Sequence, residues 1–270
     1  PCKNTLKKDF LLKSIEIAKD EFPNIDIIPH FSILHEFKRN MINTQDSLVN
    51  FMEAVKYYGC KHVLLVSGSQ KRASLDSVSA LYMLKDNSLF FNQDISFGVA
   101  FNPYLPPYLF DEEILRLEKK LQSGLVSSIW IQFGTDYKLL KSRIEILSRM
   151  ISATINKNPK ISKISLFGSI LIPSKQFLAR FKYRPWKGVY CSNEFLESDE
   201  DIIVNKLFDE LKKFYANKKE LNRVIALPVI KNVYENKSNS FKRIVVPFTD
   251  GKKVINIVTD LEKSYESNGE

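Results

Sequence analysis

Short apolar runs separated by longer amphipathic stretches recur along this chain. That alternation restricts its fold more than any other feature. "HVLLVSGS", "ISFGVAFNP", "VSSIWIQFG" and "ISKISLFGSILIP" have the length of buried strands and are rich in β-branched and aromatic residues. The stretches around them carry apolar residues at helical spacing. Residues 5–20 place Leu6, Phe10, Leu11, Ile15 and Ile17 among Lys and Asp, and "IDIIPHF" follows as a strand. A helix over 44–58 is capped by Thr44, lines up Leu48, Phe51, Met52, Val55 and Tyr58 on one face, and stops at Gly59. Further helices are predicted over 74–85, 111–122 (acidic in its first turn and closed by Gly124), 138–154, 200–216 and 249–265, with "RIVVPF" as a late strand. Residues 221–236 read either as a strand or as a helix kinked at Pro228. Strands alternating with helices make βα units and a parallel sheet. The fold class is therefore α/β, a TIM-type (β/α)8 barrel incomplete at its N-terminus, with 1–270 as one domain. A doubly wound sheet is the alternative.

Composition excludes several classes. The chain is 44% hydrophobic and 26% charged, an ordinary globular balance. Cys2, Cys60 and Cys191 are far apart with no CxxC, which argues against a disulfide framework or a zinc site and for a reducing, cytoplasmic setting. No apolar run reaches membrane-spanning length, so no membrane partner is expected. The opening "PCKNTLKKDF" is not a secretory signal; it lacks an initiator Met, as a processed product or an excised domain would. The net charge of +9 comes mostly from Lys scattered along the chain, which favours a solvated surface over nucleic acid. Open sheet edges, where barrel strands are lacking, predict oligomerisation.

Chemistry in such barrels sits at the C-terminal strand ends. There the chain offers His30, Ser67-Gly68-Ser69, Asn102-Pro103, Gln132 and Gly168. Only His30 titrates near neutral pH; it is either a satisfied core histidine or a ligand-facing one. The chain shows no strand-end carboxylate pair, no GxSxG, no GxGxxG and no GxxxxGK[ST]. Neutral hydrogen-bonding groups suit the binding of a cofactor that brings its own reactivity, or no ligand at all.

The order of these motifs resembles the methylenetetrahydrofolate reductase family. "IIPHFS" is similar to that family's "PHLTC"-like strand end, "GCKHVLLVSGS" to its strand ending in RGD, and "ISFGVAFNPYLPP" to its "VAxYPExHP" segment. "LEKKLQSGLVSSIWIQF" and "FGSILIPSKQFLARF" also fall in family order. The resemblance implies an FAD-dependent oxidoreductase that reduces 5,10-methylenetetrahydrofolate to 5-methyltetrahydrofolate with NAD(P)H. It implies FAD contacts at His30, Gly68, Ser69, Ala73, Ser74, Ala100, Asn102, Glu113, Lys119 and Lys120, with Lys120 on the pyrophosphate and Gln132 on the folate ring. The departures are chemical. The Asp of RGD is Ser69, a Tyr is Asn102, a His is Pro106, and a packing aromatic is Lys175. The resemblance implies that the strand bearing the family's general acid would precede Pro1, so no catalytic residue is assigned. The alternative is a catalytically degenerate barrel used as a binding or interaction module.

Overall fold

The structure is a computed structural model and describes residues 5–21, 23, 26–33, 41–67, 75–86, 95–158, 163–172, 175–197 and 221–228. The elements run α1 (Thr5–Glu21), β1 (His30–Ser32), α2 (Met41–Tyr57), β2 (His62–Val66), α3 (Ser77–Asp86), β3 (Ser96–Phe101), α4 (Pro107–Gln122), β4 (Val126–Ile131), α5 (Tyr137–Lys157), β5 (Ser165–Ile172), α6 (Lys175–Tyr183), α7 (Asn193–Glu197) and β6 (Leu221–Pro228). The protein is α/β. Its six-stranded sheet keeps the strands in chain order, β1 to β6. β1–β2, β2–β3 and β5–β6 pair in parallel. A doubly wound sheet reverses its strand order part-way, and this order does not reverse.

The residues group into two compact units. One comprises 1–100, 112–129 and 153–164; the other comprises 101–111, 130–152 and 165–270. In the first unit α2 buries Leu48, Phe51, Met52 and Val55, and β2 buries Val63, Leu64 and Leu65 in succession. Consecutive burial marks a strand covered on both faces, as parallel sheets require. Phe51 packs its ring 5.1 Å from that of Phe31. In the second unit Trp130 stacks on Phe167 at 4.4 Å, and α5 turns Leu140, Ile144 and Leu147 inward. Phe133, Leu178, Phe181 and Phe195 form a further apolar cluster.

Local chemistry explains most boundaries. Asp76 and Asp136 accept the Ser79 and Leu139 amides, each at 2.9 Å, and so cap α3 and α5. Gly59 and Gly124 end α2 and α4 with φ of 70° and 78°, a conformation that costs a side-chain-bearing residue.

Several boundaries differ from expectation. β1 begins at His30 instead of ending there, because Pro29 has no N–H to donate; its carbonyl accepts the Leu64 amide at 2.9 Å. α2 starts at Met41, so Thr44 is a fully buried residue within the helix and not its cap. α4 starts at Pro107, whose missing N–H is harmless in a first turn, and this leaves the first turn without an acid. α6 and α7 were not expected. Residues 221–228 settle as strand β6. The predicted helices over 200–216 and 249–265 and the strand "RIVVPF" lie outside the described residues.

Candidate functional site

In the first unit, β2 runs into Ser67, whose hydroxyl organises the neighbouring polar groups. It donates to Ser77 Oγ at 2.7 Å and accepts the Ser77 amide at 2.9 Å, and Arg116 Nη2 reaches it at 3.4 Å. Arg116 Nη1 also pairs with Asp76 Oδ2 at 2.6 Å. Burial works against the charge on Asp76, but the Ser79 amide and the Arg116 guanidinium outweigh it and hold the carboxyl below its ordinary range. Glu113, Arg116 and Lys120 share one face of α4 by their spacing of three and four residues.

Lys120 is 4% exposed, and its Nζ donates to the Ala100 carbonyl at 3.3 Å at the end of β3. Burial lowers its pKa; the Glu113 charge opposes that shift, the Arg116 charge adds to it, and Asp76 opposes it again. Two cations thus face two carboxylates, and the cluster compensates itself. It joins α3 and α4 to the ends of β2 and β3. Lys120, for which the resemblance implies a pyrophosphate contact, is held inside this cluster, whereas Lys119 is exposed.

His30 is half-buried, and burial lowers its pKa to about 4, so it is neutral at neutral pH. It is level with Leu64, two residues short of the Ser32–Val66 pair at the strand ends. Gly68, Ser69, Ala73 and Ser74 lie outside the described residues. Ala100 is exposed and Glu113 half-buried.

In the second unit, Asn102 and Gln132 sit just beyond β3 and β4, brought together by the Gln132 amide donating to the Phe101 carbonyl at 2.8 Å. The Asn102 side chain donates to the Gly188 carbonyl at 2.7 Å and accepts the Tyr104 amide at 3.1 Å. Gln132 Oε1 accepts the Phe133 amide at 3.1 Å. Arg143, buried on α5, donates to the Pro103 and Leu105 carbonyls at 2.5 Å each and lies 3.9 Å over the Phe110 ring. Thr135 Oγ1 accepts the Ser192 amide at 2.8 Å. These groups fasten loops to one another. Among the described residues, no group of three His, Cys, Asp or Glu side chains could hold a metal ion.

Sequence reasoning passed over Asp76, Arg116 and Arg143. The i, i+3, i+7 charge stripe on α4 was legible for Arg116, but the tertiary partners of Arg143 were not. It also passed over "RFKYRPWK" at 180–187. The basic residues are not evenly scattered, because no Asp or Glu occurs between Glu145 and Glu194.

A stretch of this chain is 45% identical over 76 residues to the protein translocase subunit SecA of Flavobacterium psychrophilum, covering 28% of this chain and 7% of that protein. The likeness is to a translocase subunit. SecA of Christiangramia forsetii is 42% identical over 76 residues, again 28% of this chain and 7% of that protein. SecA of Parabacteroides distasonis is 34% identical over 90 residues, 33% of this chain and 8% of that protein. The chain thus spans less than a tenth of the length of these relatives. No family model matches it. A curdlan-specific exo-β-1,3-glucanase of Blastomyces gilchristii covers 60% of this chain and 75% of its own, at 15% identity and a TM-score of 0.30.

The relatives overturn the reductase resemblance. These curated proteins carry the name of a translocase subunit, and no methylenetetrahydrofolate reductase stands among them. The activity on folate with FAD and NAD(P)H falls with it, as do the folate and NAD(P)H partners. The expectation of no membrane partner is overturned by the same names. The resemblance rested on the order of short apolar strands and Gly- and Pro-bearing turns, which many βα chains share. The positions that would do the chemistry were the ones that departed from the family. Among the described residues no helix is long and apolar enough to cross a membrane.

Proposed function

We propose that this chain works in protein translocation, as a segment that contacts other parts of a translocase assembly at a membrane. The observation that carries this reading is the identity of 45% over 76 residues with a SecA subunit, repeated at 42% and 34% in two further organisms. Two features favour contact over catalysis. The chain lacks a phosphate-cradling GxxxxGK[ST]. The Asn102 side chain donates to the Gly188 carbonyl, and Gln132 Oε1 accepts the Phe133 amide, so both strand-end side chains make internal hydrogen bonds. A segment exchange tests the reading. The matching stretch of the Flavobacterium psychrophilum subunit is replaced by that of this chain, and transport of a secretory protein into inverted membrane vesicles is measured. Transport within a few-fold of the parent supports the proposal; a folded chimera without transport refutes it.

We further propose that 1–270 forms one (β/α)8-type barrel. The unreversed strand order supports this, since right-handed crossovers between successive parallel neighbours place every helix on the same side of the sheet. A crystal structure with an open, two-sided sheet would refute it.

A further inference from the structure

Within the second unit, the end of α6 and the turn after it form a tip of unusual composition. Tyr183 is 90% exposed, Trp186 48% and Tyr190 37%. Arg180, Lys182, Arg184 and Lys187 stand exposed among them. No Asp or Glu occurs between Glu145 and Glu194, so residues 180–190 themselves carry aromatic rings and basic groups with no acid among them; the first acids after the tip are the exposed Glu194 and Glu197 of α7.

The tip is also held in place. Leu178 and Phe181 are buried with Phe133 and Phe195 beneath it. The Arg184 amide donates to the Arg180 carbonyl at 2.8 Å, and the Val189 amide to the Trp186 carbonyl at 3.1 Å. Gly188 takes a φ of 82°, and its carbonyl receives the Asn102 side chain at 2.7 Å. Presenting these rings therefore costs little further conformational entropy on binding.

We propose that this tip docks on an anionic lipid bilayer. Tyr and Trp are the side chains that settle at the headgroup layer, with an apolar body and a polar edge, and neighbouring Lys and Arg are drawn to anionic headgroups. Trp186 is wedged edge-to-face against Phe133 at 6.5 Å and Phe181 at 6.4 Å, leaving about half of the residue outward. That half-seated posture suits an interfacial anchor. A platform for nucleic-acid bases needs an open ring face beside a basic groove. The inference stands on this tip alone and holds whether or not the translocation reading does.

The full chain is mixed with phosphatidylcholine vesicles, with and without one third phosphatidylglycerol, and binding is read by co-sedimentation. Trp emission is quenched with brominated lipid. The chain has two Trp residues, and Trp130 is buried against Phe167, so a Trp130→Phe variant isolates Trp186. Binding is expected on the anionic vesicles only, with quenching of Trp186 and release in high salt. Replacing Lys182 and Arg184 together by Gln is expected to weaken partitioning about 25-fold, at roughly fivefold per cation. Tyr183→Ala, at a position where nothing is packed, is expected to weaken quenching without changing the melting temperature. No binding to anionic vesicles, equal binding to both vesicle types, or an unaltered affinity in the Lys182/Arg184 variant overturns the proposal. Tight binding of single-stranded RNA through the same residues, with no vesicle binding, also overturns it and assigns the tip to nucleic acid.

Discussion

Gly134 makes the most exacting test of the packing in the second unit. A Cβ added there would lie 2.5 Å from Cδ2 and Cε2 of Tyr104 and 2.6 Å from its Cγ. Carbon atoms pack at about 3.5–4 Å, so the overlap is about an ångström. The ring cannot pivot out of the way, because the overlap includes Cγ, next to the Tyr104 backbone. That backbone is itself held: the Tyr104 amide is bound by Asn102, and the flanking Pro103 and Leu105 carbonyls are bound by Arg143. Overpacking of this kind costs about 1–3 kcal/mol. Gly→Ala where the backbone permits it returns about 0.4–1 kcal/mol by restricting the unfolded chain. Gly134→Ala is therefore expected to lose about 1–2 kcal/mol, a fall of roughly 2–8 °C in melting temperature for a chain of this size. Differential scanning calorimetry gives the shift. A double-mutant cycle with Tyr104→Ala gives the cause, since removing the ring should abolish most of the penalty. A Gly134→Ala protein as stable as the parent, or an undiminished penalty in the Tyr104→Ala background, would refute the reasoning.

Other consequences follow from the first unit and from the cysteines. His30 is expected to remain unprotonated in the folded protein at pH 5; because its folded pKa of about 4 lies below the unfolded value near 6.5, stability should fall as pH drops through that window, by up to about 3 kcal/mol. His30→Gln should flatten that part of a urea-midpoint-versus-pH curve, and an unchanged slope would exclude His30 as its source. Asp76 contributes in the other acidic range: its stabilisation is complete above the ordinary carboxylate pKa and is lost as pH falls through the lowered folded value, so Asp76→Asn should be less stable at pH 7 yet lose less on acidification. Burial raises the thiol pKa of Cys60 and pushes that of Cys191 up to about 12, so iodoacetamide at pH 8 should label neither in the folded protein within minutes and both in urea, as read by peptide mass spectrometry.

The sequence by itself determined the alternation of elements, because apolar periodicity is a local property that each segment carries wherever the chain places it. Gly59 and Gly124 announced their helix ends for the same reason, since the left-handed conformation they adopt is a property of glycine. What the sequence left open was decided by partners distant along the chain. His30 opens β1 because Leu64 meets the carbonyl of Pro29, and Thr44 is buried inside α2 and so is not a cap. Lys120 is one more Lys in a Lys-rich chain as far as the sequence goes, and only the fold buries it beside the Ala100 carbonyl and the charges of Glu113 and Asp76. Asn102 and Gln132 looked like ligand-facing groups, but in the fold Asn102 donates to the Gly188 carbonyl and Gln132 Oε1 accepts the Phe133 amide. A polar side chain has the same composition whether it faces a ligand, a loop or water. Only the tertiary structure brings up the group that claims its hydrogen bonds, and so decides which it is.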